Sequence, residues 1–252
     1  MSSKQLGLDK QPLMVGPDTL LKDAIAQMSQ ASGTCQLAPS ALASSALAQP
    51  EEALPALVQS EAGLPASRRC SYVLITQHQK LLGIVTERDL VRLTAEGVCF
   101  ASTTLQTVMT ENVVTLKASA IKDAFTPLTV MRQHHIRHLP VVDDRDNVCG
   151  VITSAKLREA LPASALLKRR QVQDVMVTDL ITATPATPVI EIAKLMTLHR
   201  LSCVIIQASE AAPPQGIITE YDIAQIQRLE LNLNALAVET VMSTPLVCIH
   251  PE

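Results

Sequence analysis

The chain has 252 residues, enough for one to three ordinary domains, and its formal net charge of −3 argues against a nucleic-acid-binding surface, which normally carries a basic excess. Only 2% of the residues are aromatic and none is Trp, so the core must be aliphatic. The six cysteines form no C-x-x-C pair, the N-terminus lacks the apolar region of a signal peptide, and no apolar run approaches about 18 residues. We therefore expect a reduced, cytoplasmic protein with no membrane span.

A short motif occurs three times, at residues 83–89, 150–156 and 216–222. Each copy has a glycine, two β-branched residues, a threonine and, three positions after the threonine, Asp in two copies and Lys in the other. The copies are spaced by 67 and 66 residues, and the Val-Met pairs that end at Met109, Met176 and Met242 keep the same two intervals. Self-similarity at a fixed period indicates tandem repeats. Each copy predicts a strand that ends at the threonine and passes directly into a helix.

The first repeat is predicted over residues 8–96. It begins with a strand at 13–15, and the apolar residues between 20 and 28 then share one helical face. A strand at 71–75, the first copy of the motif and a helix complete it. An Ala-, Ser- and Pro-rich stretch at about residues 29–69 has no counterpart in the second repeat, so we interpret it as a surface insertion, with a functional lid as the alternative.

The second repeat, residues 105–163, has the most regular pattern. It predicts a strand over 113–116, a helix over 120–131 that contains Pro127, and a strand over 136–143. After a hairpin turn, a strand over 148–152 leads through Thr153 into the closing helix. The predicted order is therefore β-α-β-β-α.

The third repeat, residues 172–230, keeps this order. Strands are predicted at 180–182, 203–206 and 216–218, with helices at 189–198 and after Thr219. The Val-Met pair at 241–242 is followed by an apolar run to residue 249. This run predicts the opening strand of a truncated fourth repeat over residues 238–252.

The combination resembles the CBS (cystathionine β-synthase) domain family. The resemblance rests on the three motifs in register, the Val-Met pairs, and the run Ile-Arg-His-Leu-Pro-Val-Val-Asp at 136–143. It implies an α/β fold of tandem repeats, each β-α-β-β-α with a small mixed sheet and two helices, in which two repeats pack through their sheets into a disc-like Bateman module. In this family the clefts between repeats hold adenine nucleotides or related adenosyl ligands, and the modules regulate an attached effector.

The resemblance assigns the Thr and Asp of the motif to the ribose hydroxyls of the ligand. A carboxylate can accept hydrogen bonds from two adjacent hydroxyls. The ribose-binding pairs would be Thr86 with Asp89 and Thr219 with Asp222. The same spacing is also that of a capping box, in which the side chains only satisfy the backbone at the start of a helix. The two roles are compatible.

The second copy of the motif departs from the family pattern. Thr153 is present, but Lys156 replaces the acid. A lysine cannot accept a hydrogen bond from ribose, although it could attract a phosphate. We expect this cleft to be empty or to bind in a different way.

The polar pair that precedes Leu-Pro-Val-Val lies at the cleft mouth in the family. Here that pair is Arg137 and His138, which could contact phosphate, whereas Ser71 and Ser202 occupy the matching region of the other repeats. Phosphate affinity should therefore concentrate on the second repeat. An ordinary solvated or inter-repeat His/Arg pair is the alternative, and the spacing of the neighbouring histidines is weak evidence for a metal site.

These observations predict a regulatory module that binds AMP, ADP, ATP or S-adenosylmethionine, with or without Mg²⁺, and requires no cofactor. It would form a homodimer through its repeats and control a C-terminal effector outside this chain, which we interpret as a signalling histidine kinase. The sequence contains no nucleophile elbow, no P-loop and no His pattern with metal-ligand spacing, so it does not predict catalysis. The alternative function is a ligand-free dimerisation or scaffolding module, in which Thr and Asp only cap helices.

Overall fold

The structure is a computed structural model that describes residues 7–31, 70–160 and 171–251. Most of the predicted insertion, about residues 29–69, lies outside the described residues. Among the helices of the described part, none combines the length and apolar character needed to cross a membrane.

The described chain is a series of three β-α-β-β-α repeats, as predicted. After a short strand β1 (Leu8–Asp9), the first repeat contains β2 (Met14–Val15), α1 (Leu21–Ala31), β3 (Tyr72–Gln77), β4 (Lys80–Thr86) and α2 (Glu87–Ala95). A one-turn helix α3 (Leu105–Val108) leads to the second repeat: β5 (Leu116–Lys117), α4 (Phe125–Gln133), β6 (His138–Val142), β7 (Val148–Thr153) and α5 (Ser154–Ala160). The third repeat has β8 (Thr182–Ala183), α6 (Val189–His199), β9 (Cys203–Ile206), β10 (Gly216–Thr219) and α7 (Glu220–Arg228).

Each repeat forms a small mixed sheet, which confirms the predicted fold class. The opening strand pairs parallel with the middle strand, and the middle strand pairs antiparallel with the last one. Because side chains alternate across a strand, Val73, Ile75 and Val85 face the helices of the first repeat and are fully buried there.

The first and second repeats pack through the other faces of their sheets. Tyr72, Leu74 and Ile84 of the first repeat form a buried apolar cluster with Val151 of the second. The ring of Tyr72 also lies 5.1 Å from that of His138, measured between ring centroids. This pairing of sheets joins the two repeats into one unit.

The matching sheet face of the third repeat is not covered in the same way. Cys203, Ile205 and Ile217 occupy the positions of Tyr72, Leu74 and Ile84 in the strand register. Cys203 is exposed and the two isoleucines are only partly buried. An apolar sheet face of the third repeat is therefore accessible.

The third repeat instead packs through its helices onto the first repeat. Helix α2 lies against α6 and α7, and Val91 of α2 belongs to the buried core of the third repeat. Polar contacts across this interface include the Gln227 amide, which donates to Thr94 Oγ1 at 2.9 Å, and Ser29 Oγ, which donates to Gln225 Oε1 at 3.2 Å. The first repeat thus contacts the second through its sheet and the third through its helices.

Two details of the second repeat differ from the prediction. Helix α4 begins at Phe125 rather than at residue 120, because the Asp123 carboxylate accepts from the backbone N–H groups of Phe125 and Thr126. Pro127 then lies in the first turn, where an N–H has no intrahelical acceptor, so its position is not strained. The predicted strand over 113–116 is reduced to Leu116–Lys117.

The chain termini also show differences. Strand β1, within the range predicted for the first repeat, pairs with β7 of the second. The strand predicted within 241–249 is not formed: Ser243 bridges Ile217, and residues 244–251 contain no strand. In the other repeats the opening strand is held by parallel pairing with the middle strand of its own repeat, and the described residues contain no such partner here.

Candidate ligand-binding cleft

A cleft of about 230 Å³ lies between the first and second repeats. Its apolar wall comes from the segment after α3, from β4 and from Ile136 just before β6, and its polar ends carry hydroxyl, carboxylate and guanidinium groups. The lining residues are Ile84, Thr86, Arg88, Asp89, Thr110, Asn112, Val113, Val114, His135, Ile136, Arg137 and His138. Of the predicted site residues, the cleft therefore brings together Thr86, Asp89, Arg137 and His138.

Thr86 and Asp89 lie at the junction of β4 and α2. The Asp89 carboxylate accepts from the backbone N–H of Thr86 at 2.9 Å and from Thr86 Oγ1 at 2.7 Å, both through Oδ2. Oδ1 faces the Arg92 guanidinium at 3.9 Å, beyond hydrogen-bond distance. The pair therefore caps the helix while the other carboxylate oxygen and the Thr86 lone pairs remain chemically able to accept from a ligand.

Thr219 and Asp222 form the equivalent pair in the third repeat. Asp222 accepts from Thr219 N and Oγ1, each at 2.7 Å, and its own N–H donates to Thr219 Oγ1 at 3.4 Å. Asp222 is only 4% exposed. The structure thus places this pair in a closed capping box that does not border the cleft.

Thr153 and Lys156 also lie outside the cleft. Thr153 Oγ1 accepts from the backbone N–H of Lys156 at 3.2 Å, as a helix cap. The Lys156 ammonium pairs with Asp9 of β1 at 3.0 Å. The lysine that replaces the acid therefore holds the N-terminal strand against the second repeat.

His138 lies partly buried at the interface of the first two repeats. Its Nε2 is 2.8 Å from Ser71 Oγ. Burial, together with the positive charge of Arg137, lowers the His138 pKa from its ordinary value of 6.5 to about 4. His138 is therefore neutral at pH 7 and adds no positive charge to the cleft, whereas Arg137 does.

Three repeats meet at the guanidinium end of the cleft. Glu220 of the third repeat accepts from Arg88 Nε at 2.9 Å and from Arg137 Nη2. Its side chain is only 5% exposed. Ser202 Oγ accepts from the same two guanidinium groups, at 3.3 and 3.2 Å. Predicted Ser202 therefore contacts the cleft arginines without lining the cleft.

Sequence reasoning missed Arg88 and Glu220. Both lie within copies of the repeated motif, but residues 88, 137 and 220 are far apart in the chain. No spacing signals that they meet, because the contact depends on how α7 docks against the first repeat. The available signal was only that two motif copies carry Glu directly after the threonine, as Glu87 and Glu220.

Comparison with protein families identifies the architecture. The family model described as the CBS domain matches residues 105–163 and 172–228, the second and third repeats. These two segments are tandem CBS domains. This confirms the resemblance found in the sequence, and the first repeat, although outside the matched segments, has the same β-α-β-β-α order.

Structural comparison extends the likeness in fold over nearly the whole chain. The crystal structure of protein MJ1225 from Methanocaldococcus jannaschii, described as a proposed archaeal homologue of g-AMPK, matches this chain with a TM-score of 0.69 and 17% identity. The match covers 98% of this chain and 84% of that one. At this identity the likeness concerns the fold.

Among curated proteins, segments of larger enzymes match this chain. Homoserine O-acetyltransferase of Methanococcoides burtonii is 32% identical over 124 residues, which are 49% of this chain and 24% of the enzyme. Inosine-5'-monophosphate dehydrogenase of Nitrosopumilus maritimus is 38% identical over 82 residues, 32% of this chain and 16% of the enzyme. The alignments therefore span a quarter or less of these relatives.

Proposed function

We propose that this tandem CBS protein is a regulatory module that binds an adenosyl ligand in the cleft between its first two repeats. The ligand would be an adenine nucleotide or S-adenosylmethionine, and its binding would control an effector outside this chain. The observation that carries the proposal is that one cleft combines an apolar wall, the Thr86–Asp89 pair and the guanidinium groups of Arg88 and Arg137.

The three parts of the cleft match the three parts of such a ligand. Val113 and Val114 offer an apolar surface to a flat base, and Asp89 can accept from ribose hydroxyls. Arg88 and Arg137, exposed by 47% and 41%, still have N–H donors for a phosphate. The cleft volume of about 230 Å³ lies below the roughly 300–1,000 Å³ typical of ligand pockets. A nucleotide would therefore not fit entirely inside the cleft, and its phosphates would project towards the arginines.

Binding can regulate only through a difference in affinity between two states of the protein. The cleft is built from two repeats, and its arginines contact a third, so a ligand that favours one arrangement of the repeats shifts their packing. Couplings of this kind are commonly about 1–3 kcal/mol. The effector would respond to that shift.

Calorimetric titration with AMP, ADP, ATP, S-adenosylmethionine and adenosine tests the proposal. We expect saturable binding of at least one of them, and a higher melting temperature when it is present. Titrations with and without Mg²⁺ show whether the ion assists a triphosphate. Absence of heat and of any thermal shift at millimolar ligand would leave the sensor without support.

The accessible sheet face of the third repeat favours a second function, assembly of two copies. The equivalent faces of the first and second repeats pack against each other inside the chain, so this fold supports sheet-to-sheet packing of two repeats. We propose that the third repeats of two copies pack through Ile205 and Ile217 as a homodimer.

Sedimentation over a range of protein concentrations tests this dimer. Ile205→Lys should shift the protein towards monomer, because a charge would enter the apolar contact. Leu198→Lys is the control, since Leu198 is 75% exposed on the helical side of the same repeat. A protein that stays monomeric at every concentration, or a dimer unaffected by Ile205→Lys, would contradict this interface.

A further inference from the structure

The guanidinium end of the cleft is shared with a carboxylate from another repeat. Glu220 begins α7 of the third repeat, and its side chain is nearly inaccessible to solvent. Its two oxygens take one guanidinium each, Oε1 that of Arg88 and Oε2 that of Arg137. A buried carboxylate is therefore already bound to both arginines that a ligand phosphate would reach.

This contact cancels the positive charge that the cleft would otherwise offer. The two arginines carry two positive charges, whereas Asp89 on the cleft wall and Glu220 behind the arginines carry two negative ones, and Arg92 beside Asp89 is balanced by Glu96. His138 does not alter the balance at pH 7, because its pKa is lowered to about 4. A phosphate entering the cleft therefore meets guanidinium donors but no net positive charge.

We propose that Glu220 of the third repeat sets the charge selectivity of the cleft between the first two repeats, so that adenosyl ligands with little negative charge are favoured over highly phosphorylated ones. The inference rests on the proposed adenosyl-binding function and extends it. Glu220 does not line the cleft, so it acts through the two arginines rather than by touching the ligand.

The geometry allows the charge of Glu220 to be tested separately from its role in orienting the two arginines. Arg88 uses Nε for Glu220 and Nη2 for Ser202, and Arg137 uses Nη2 for Glu220 and Nη1 for Ser202. Each guanidinium has five N–H donors, so both keep donors for a ligand. Replacing Glu220 by Gln removes the charge and keeps an amide oxygen that can still accept from an arginine, which makes it a test of charge.

The same contact links ligand charge to the docking of the third repeat. A phosphate that draws Arg88 and Arg137 towards the cleft weakens their bonds to Glu220, and a firmly docked Glu220 weakens the phosphate site by the same free energy. Neutral adenosyl ligands have no such effect. The docking of the third repeat would then depend on the number of phosphates in the ligand.

The experiment compares the wild-type chain, Glu220→Gln and Glu191→Gln by calorimetry in low salt. Glu191→Gln is the control because it removes one exposed acid of the same repeat, paired only with Lys194 in the described structure. The probes are adenosine, AMP, ATP and inorganic pyrophosphate. We expect Glu220→Gln to bind AMP about tenfold more tightly and ATP more tightly still, with adenosine unchanged within about twofold. Raising the salt concentration should reduce the gain.

A double-mutant cycle distinguishes a charge effect of Glu220 from an orienting effect on the arginines. Arg88→Gln removes one positive charge and should weaken AMP binding, whereas Arg88→Gln with Glu220→Gln restores the charge balance and should return AMP affinity towards wild type. If Glu220 acted by orienting the arginines, the double variant would bind AMP more weakly than Arg88→Gln alone. That result, or equal changes for AMP and adenosine in Glu220→Gln, would overturn the inference.

The probes also separate this inference from the proposed function. If no variant binds adenosine, AMP or ATP, but pyrophosphate binds more tightly to Glu220→Gln, the charge role of Glu220 stands and the adenosyl assignment fails. If adenosine and AMP bind and Glu220→Gln changes neither AMP nor pyrophosphate affinity, the assignment stands and the role of Glu220 fails.

Discussion

Asp89→Asn separates ligand binding from helix capping at the cleft. In the wild type, Asp89 Oδ2 accepts from Thr86 N and Oγ1 at 2.9 and 2.7 Å. An asparagine whose amide oxygen takes the place of Oδ2 can keep both bonds, but they are weaker without the negative charge, which is also lost from the N-terminus of α2. Loss of a cap contribution of about 1 kcal/mol is expected, which lowers the melting temperature of a domain of this size by roughly 2–4 °C.

The effect on ligand binding should be larger than the effect on stability. Hydrogen bonds to a charged group contribute about 1.5–3 kcal/mol each, and the amide of Asn cannot accept from two adjacent hydroxyls as a carboxylate does. Loss of one such bond weakens adenosine and AMP binding by roughly 10- to 100-fold. Calorimetry gives the dissociation constants, and urea unfolding of the same samples gives the free energy of unfolding.

Asp222→Asn is the matched control for capping. Asp222 makes the same bonds to Thr219 at the start of α7 but does not line the cleft. We expect a comparable or greater loss of stability, because Asp222 is only 4% exposed, and cleft affinity unchanged within about twofold. If Asp89→Asn lowers stability and leaves AMP affinity at the wild-type value, capping is the whole role of this pair and the ribose assignment is refuted.

Two further predictions concern stability. The folded-state pKa of His138 is about 4, below its unfolded value of 6.5, so the unfolded chain takes up the proton first as the pH falls. The contribution of neutral His138 to the free energy of unfolding is therefore complete above pH 6.5 and should fall by at most about 3 kcal/mol towards pH 4. Urea unfolding at pH 7 and pH 5 should show a smaller loss for His138→Gln, and equal losses would contradict this account. Gly83→Ala should destabilise by about 1–3 kcal/mol, because its Cβ would lie 2.5 Å from Met109 Sδ, whereas Gly16→Ala, with no heavy atom within 4 Å of its Cβ, should be nearly neutral. Adding Met109→Ala should reduce the loss of stability that Gly83→Ala causes. A Gly83→Ala chain as stable as the Gly16→Ala chain would show that the close approach of residues 83 and 109 is unimportant.

The sequence by itself determined the repeats, their β-α-β-β-α order and the joint at each threonine. These features depend on local chemistry: β-branched runs favour strands, and a Thr with an acid three residues later caps the helix that follows. It also predicted the Thr86–Asp89 pair and Arg137 as parts of a site, through the family resemblance. Boundaries were less certain where a local cap competed with periodicity, as Asp123 does at the start of α4.

Only the tertiary structure decided which repeats face each other and therefore which polar residues share a site. The capping pairs at Thr86 and Thr219 are alike along the chain, yet only the first borders the cleft, because a second sheet covers that side of the first repeat. Likewise, Glu220 meets Arg88 and Arg137 because α7 docks against α2. Such contacts join residues far apart in sequence, so their origin lies in packing between repeats rather than in any local pattern.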